Sequence, residues 1–129
     1  MGERYRFLIA DDDPGASRLY QTYAQRRGHD VLLARDGAET LLLAAAEHPD
    51  VILLDVAMPK LDGRDVLRQL KANPRTAAIP VMVVSAMAGD QNVRGQLVDL
   101  GAHDVVEKPI DLAVTFSKAE RLAERARRD

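Results

Sequence analysis

The chain changes its hydrophobic period repeatedly, and that rhythm limits its fold more than any single residue does. Tyr5 to Ala10 is a short apolar run that stops at Asp11-Asp12-Asp13-Pro14, the pattern of a buried strand running into a turn. Asp13 suits a helix N-cap and Pro14 the first helical position. Ala16, Leu19, Tyr20, Tyr23 and Ala24 then recur at helical spacing until Gly28. The alternation continues with a strand at Val31 to Ala34, a turn at Asp36-Gly37 and a helix from Glu39 to His48, ended by Pro49. Val51 to Leu54 is continuously apolar, as a strand covered on both faces would be. Asp55 closes that strand, and a loop with Pro59 and Gly63 leads to a helix from about Arg64 to Ala72, broken at Asn73-Pro74. A fourth strand, Ile79 to Val84, carries Pro80 near its start, where a strand tolerates proline. A helix from about Asp90 to Leu100, a short strand at Val105-Val106 and a helix from about Asp111 to Arg128 complete the series. Five strands alternating with five helices, joined by right-handed crossovers, predict an open, doubly wound parallel sheet with helices on both faces.

Size and composition narrow the classes of function. At 129 residues the chain suits one domain, expected over residues 4–128, with no internal repeat or linker. The absence of cysteine removes disulfides, thiolate metal sites and thiol nucleophiles. With 18 basic against 20 acidic side chains, a strongly basic nucleic-acid binder is not expected. Aromatic residues are 4% of the chain and tryptophan is absent, which argues against a base-stacking platform. The longest apolar run, Leu41 to Ala46, is far short of a membrane span. The N-terminus runs straight into a strand-like segment without a signal-peptide pattern. A soluble, cytoplasmic domain follows as the expectation.

Ligands of an open parallel sheet sit beyond the carboxyl ends of its strands. Asp11 and Asp12 follow the first strand, Asp55 the third, Ser85 the fourth and Lys108 the fifth. Each has an ordinary reading alone: an Asp as a cap, a Ser as a turn residue, Lys-Pro as a surface turn. Together at one edge they suggest chemistry. Crowded carboxylates raise at least one pKa unless a cation is present. Oxygen ligands of this kind suit Mg²⁺. A metal and an ammonium neutralise phosphoryl charge while a carboxylate attacks phosphorus. The residue types therefore point to magnesium-assisted phosphoryl transfer onto an aspartate. His29, His48 and His103 show no ligand spacing. Met58, Met82 and Met87 read as loop and core fillers, and Asp62 and Asp65 as loop and helix-start residues.

On these residues the chain resembles the receiver domain of two-component response regulators, the CheY-like family. The resemblance runs from about Arg6 to Glu124. It rests on Phe7-Leu8-Ile9-Ala10-Asp11-Asp12-Asp13-Pro14, on Leu53-Leu54-Asp55-Val56-Ala57-Met58-Pro59-Lys60-Leu61-Asp62-Gly63, on Val84-Ser85-Ala86, and on Gly101-Ala102 and Lys108-Pro109. It implies a flavodoxin-like strand order of 2-1-3-4-5. It implies that Asp55 accepts a phosphoryl group from a sensor histidine kinase or phosphotransfer protein. Mg²⁺ would be held by Asp12 directly, by Asp11 largely through water, by Asp55 and by the backbone carbonyl of Ala57. Lys108 would pair with the phosphoryl oxygens, and Ser85, in place of the commoner Thr, would swing to hydrogen-bond them. A cis peptide before Pro109 would aim Lys108. Such a chain is a signalling switch that catalyses its own phosphorylation and dephosphorylation, not an enzyme acting on another substrate.

Departures from the family pattern sharpen the expectation. Val105 stands where an inward-turning aromatic is common, and Ile110 where Phe is common. Ala57 and Met87 stand at the two positions that tune phosphoryl lifetime, and both are apolar, so self-dephosphorylation is expected to be slow. With no output domain in the chain, either it is cut from a larger protein or signalling would pass by contact through helix four, strand five and helix five to a target protein, or through homodimerisation, without direct contact to nucleic acid or membrane. Gly95 either loosens helix four or permits close packing there. A haloacid-dehalogenase-like phosphatase would need a second Asp where Ala57 stands. A flavodoxin-like flavin binder would need a hydroxyl-rich phosphate loop where Asp11 to Asp13 stand. A receiver used only for docking, never phosphorylated, is the remaining alternative.

Overall fold

The computed structural model describes residues 2–58 and 62–128. Pro59, Lys60 and Leu61 of the loop after the third strand lie outside the described residues, as do Met1 and Asp129. Among the described residues, five strands alternate with five helices: β1 (Arg6–Ala10), α1 (Pro14–Arg26), β2 (Asp30–Ala34), α2 (Gly37–Glu47), β3 (Val51–Asp55), α3 (Gly63–Ala72), β4 (Val81–Ser85), α4 (Gln91–Asp99), β5 (Asp104–Glu107) and α5 (Leu112–Arg128). All neighbouring strands run parallel, in the order β2-β1-β3-β4-β5.

Burial follows from that order. Every residue of β3 and β4 is buried, because helices cover both faces of the sheet interior, whereas β2 at one edge is mostly half-buried. Alternate strand residues point to opposite faces and supply two separate cores. Leu8, Ile52, Leu54, Val81 and Val83 meet Val66, Leu67 and Leu70 of α3 and Leu97 of α4. Phe7, Ile9, Leu53, Met82 and Val84 meet Tyr20 and Ala24 of α1 and Phe116, Ala119 and Ala123 of α5.

Capping side chains set the helix starts. Asp13 accepts from the Gly15 N–H, Asp62 from Arg64, Asp90 from Asn92 and Asp111 from Val114. Each satisfies one of the amide donors that a first turn leaves without a partner. At α2, Asp36 accepts from Glu39 N–H while Glu39 reaches back to the Arg35 N–H, so this helix begins at Gly37, two residues earlier than periodicity predicts. Strand β4 begins at Val81, not Ile79: Pro80 has no N–H, and its carbonyl takes the Ile52 N–H at 3.0 Å. Strands β2 and β5 are longer than expected because Asp30 pairs in register with Arg6, and Asp104 and Glu107 with Met82 and Ser85.

Three expectations about packing change. Leu19 and Met87 are exposed at 53% and 55%, so neither fills the core. Gly95 lies on the open side of α4, and a Cβ built there would meet nothing within 4 Å. Close packing therefore does not account for Gly95, and what remains is its cost in backbone entropy. Gly95→Ala should raise the urea unfolding free energy by roughly 0.5–1 kcal/mol. An unchanged or lowered midpoint would mean that α4 is not helical at this position in solution.

Candidate functional site

The sheet delivers the acidic residues to one place. In the β1–β3 ladder Ala10 lies opposite Leu54, so Asp11 leaves β1 beside Asp55, the last residue of β3. The Asp11 N–H still bonds to the Ala34 carbonyl of β2 at 3.1 Å, which holds the chain on the sheet through the turn. Carboxylate oxygens of Asp11, Asp12 and Asp55 all lie within 4.8 Å of one another. Asp11 and Asp55 are buried, each 3% exposed, while Asp12 is exposed to solvent.

Each buried carboxylate is held by a short local bond. Asp11 Oδ1 accepts from the Asp13 N–H at 2.9 Å, and the Asp11 carbonyl accepts from Ser17 Oγ at 3.1 Å. Asp55 Oδ1 accepts from the Ala57 N–H at 2.9 Å, and Oδ2 accepts from Lys108 Nζ at 2.7 Å. Lys108 reaches the site because its N–H bonds to the Ser85 carbonyl at 3.1 Å, which carries the chain from β5 across the end of β4. The Lys108–Pro109 peptide is cis, as the resemblance implies. No fully buried side-chain N or O atom among the described residues lacks a hydrogen-bond partner.

The electrostatics are those of an incompletely neutralised cluster. Burial pushes the Asp11 carboxyl above the usual carboxylate range, the Asp13 amide opposes this, and the charges of Asp55 and Asp12 add to the rise. Burial alone would pull Lys108 down, but the hydrogen bond and charge of Asp55, with Asp11 behind it, raise it overall. The ammonium is therefore secure at neutral pH. Three carboxylates face this one ammonium, and their close-set oxygens match the hard, oxygen-only donor set that divalent magnesium prefers.

Of the residues expected here, Asp11, Asp12, Asp55 and Lys108 come together as proposed from the sequence. Ser85 lies at the same strand edge, but its hydroxyl accepts from the Met87 N–H at 3.0 Å. Ala57 touches the site through its N–H. Val105 is 2% exposed and packs with the aliphatic core beneath α3 and α4. Tyr20 was visible in the sequence only as a core position of α1. It lines a crevice with Asp11 and Asp55, above Ile9, Leu53 and Val84, and the crevice is too narrow to hold a water. Periodicity could not separate it from Ala24, one turn away on the same buried stripe. Two histidines make structural bonds: buried His29 Nδ1 accepts from the Tyr5 N–H, so Nε2 carries the proton shared with Glu120, and exposed His103 Nδ1 accepts from the Val81 N–H.

The sequence profile described as the response regulator receiver domain matches residues 7–120. The DNA-binding dual master transcriptional regulator RpaA of Synechocystis is 38% identical over 123 residues, covering 95% of this chain and 51% of that protein. The chain thus spans about half the length of that relative. Protein PilH of Pseudomonas aeruginosa is 38% identical over 107 residues, covering 82% of this chain and 87% of PilH. The receiver domain of the Francisella response regulator 1452 superposes with a TM-score of 0.87 at 29% identity, covering 94% of this chain and 98% of that one.

The raised Asp11 carboxyl makes a signed prediction. Folding favours its neutral form, so its contribution to stability is full in acid and is lost as pH rises through the folded-state value. Asn keeps an oxygen for the Asp13 N–H. In chelator-treated protein, Asp11→Asn should therefore have a higher urea midpoint than wild type at neutral pH, with the gap closing in acid. A lower midpoint for the variant at neutral pH would contradict this reading of the cluster.

Proposed function

The chain belongs to the response regulator receiver domain family, and on that premise we propose that it is a phosphorelay switch whose phosphoacceptor is Asp55. The observation that carries this is the setting of Asp55. It is buried at a strand end, fixed through both oxygens by Ala57 N–H and Lys108 Nζ, and set among two further carboxylates.

A carboxylate oxygen of Asp55 attacks the phosphorus of a phosphohistidine on a sensor kinase or phosphotransfer protein. The P–O bond forms as the P–N bond breaks, and the imidazole leaves with the electron pair and takes up a proton. Lys108 holds Asp55 in line beforehand and then follows the negative charge onto the phosphoryl oxygens. Ser85 Oγ, which accepts from the Met87 N–H, donates its own O–H to a phosphoryl oxygen. Asp12 directly, Asp11 largely through water, Asp55 and the Ala57 carbonyl would hold Mg²⁺, which when bound offsets the charge on the transferring oxygens. Loss of the phosphoryl group to water, which releases phosphate and restores the Asp55 carboxylate, needs a positioned water. Ala57 and Met87 are both exposed and apolar, and neither can orient one.

Residues 4–128 act as a single receiver domain in the cytoplasm, and among the described residues no helix is long and apolar enough to cross a membrane. The signal leaves through the face formed by α4, β5 and α5, to a target protein or a second copy of the chain, without direct contact to nucleic acid. An open groove between Arg94, Val106, Val114 and Lys118 lies on that face, where Arg94 donates to the Val105 carbonyl of the edge strand at 2.8 Å.

Incubation with Mg²⁺ and acetyl phosphate, read by intact mass, tests the assignment. Wild type should gain one phosphoryl group and Asp55→Asn none. If wild type gains nothing, the chain is a docking module; if Asp55→Asn still gains the mass, another residue is the acceptor. After removal of the donor, the phosphoryl group on wild type should persist for minutes or longer. A half-life of seconds would overturn the role given to Ala57 and Met87.

A further inference from the structure

All five aromatic residues of the chain lie on one side of the sheet. Tyr5, Phe7, Tyr20 and Phe116 belong to the core beneath α1 and α5, and Tyr23 packs against it. The opposite core, which contains Val105, has no aromatic residue among those described. The rings are contiguous. Tyr20 lies 6.5 Å from Phe116, centroid to centroid, and Tyr23 5.2 Å from the same ring. Phe116 stacks on Phe7 at 5.5 Å, and Phe7 on His29 at 5.0 Å.

One end of this series meets the phosphoacceptor site. Tyr20 is 8% exposed and shares with Asp11 and Asp55 the crevice that excludes water. With no water between them, the field of the carboxylates acts on the phenol through a low-dielectric gap, where a change of one charge is felt far more strongly than in solvent. Phosphorylation converts the Asp55 carboxylate to an acyl phosphate and draws Lys108 off Oδ2. Both changes fall on the charges that Tyr20 faces.

Resting on the phosphoacceptor reading, we propose that Tyr20 senses the charge state of this site, and that its response passes through Phe116 to Tyr23 on the α1–α5 side. Val105 cannot serve as an aromatic reporter, and the aromatic material of this chain is concentrated on the other face. Phe116 provides the bridge because α5 inserts it fully buried between the two α1 tyrosines and Phe7.

The three tyrosines make the test direct. The 129-residue chain labelled with 3-fluorotyrosine gives three ¹⁹F resonances, assigned with Tyr5→Phe and Tyr23→Phe. Intact mass after acetyl phosphate establishes first that the labelled protein is phosphorylated. Mg²⁺ and beryllofluoride are then added as the phosphoryl mimic. The Tyr20 and Tyr23 resonances should shift, and Tyr5, at the far end of the sheet, should not. In Phe116→Leu the Tyr20 shift should persist and the Tyr23 shift should be lost. In phosphorylation-competent protein, a stationary Tyr20 resonance overturns the proposal and leaves the phosphoacceptor reading standing. A Tyr23 shift that survives Phe116→Leu overturns the route through Phe116. Protein that gains no phosphoryl mass removes the phosphoacceptor reading, and the role of Tyr20 with it.

Discussion

The parallel pairing of β1 with β3 forces like charges together, and the rest of the site answers to that constraint. Register places Asp11 beside Asp55, and both are buried. Left alone, two buried carboxylates and a third at the rim repel, and burial raises the cost of each charge. The apolar residues of β1, β3 and β4 supply the free energy that holds the strands in this register regardless. Three local devices then limit the damage: the Asp13 amide on Asp11, the Ala57 amide on Asp55 and the Lys108 ammonium on Asp55. The remaining excess of negative charge is the property that suits the site to a divalent cation and to the charge redistribution of phosphoryl transfer.

The two faces of the sheet are built from different materials. Beneath α2, α3 and α4 the core is aliphatic, with Leu54, Leu67, Leu97 and Val105 closely buried. Beneath α1 and α5 it is aromatic and ends in polar anchors. There, Arg27 pairs with Glu120, His29 binds both Glu120 and the Tyr5 amide, and Arg127 covers the Tyr5 ring while bonding Glu3 and Asp50. These contacts tie the C-terminal half of α5 to the amino edge of the sheet, leaving Phe116 near the middle of the domain. An exposed Gly95 in α4 lies on the aliphatic side, far from that clamp.

Much of this was legible in the sequence, because the fold rests on patterns that periodicity reads well. The wholly apolar β3 and β4, the Asp caps and the carboxylates at strand ends all carry local signals. Strand order is not local, and it came only with the resemblance of the Asp11-Asp12, Asp55 and Lys108-Pro109 segments. What stayed hidden depended on side-chain direction. Leu19 and Met87 have core chemistry but face solvent, and Gly95 could have been a packing device until its surroundings were seen to be open. Tyr20 looked like any other member of the α1 stripe. Only the turn of α1 over the end of β1 puts its ring against Asp11 and Asp55.

Stability against Mg²⁺ is the most direct measure of whether this carboxylate cluster is built for a cation. A ligand that binds only the folded state raises stability by RT ln(1 + L/Kd), where L is the free ligand concentration, and this keeps growing with free ligand above the dissociation constant. The urea midpoint of wild type at neutral pH should rise with the logarithm of Mg²⁺ concentration once this exceeds the dissociation constant, at constant ionic strength, and the rise should disappear in Asp12→Ala. Midpoints that stay level with Mg²⁺, or that climb equally in wild type and Asp12→Ala, would contradict a metal-dependent site at Asp11, Asp12 and Asp55.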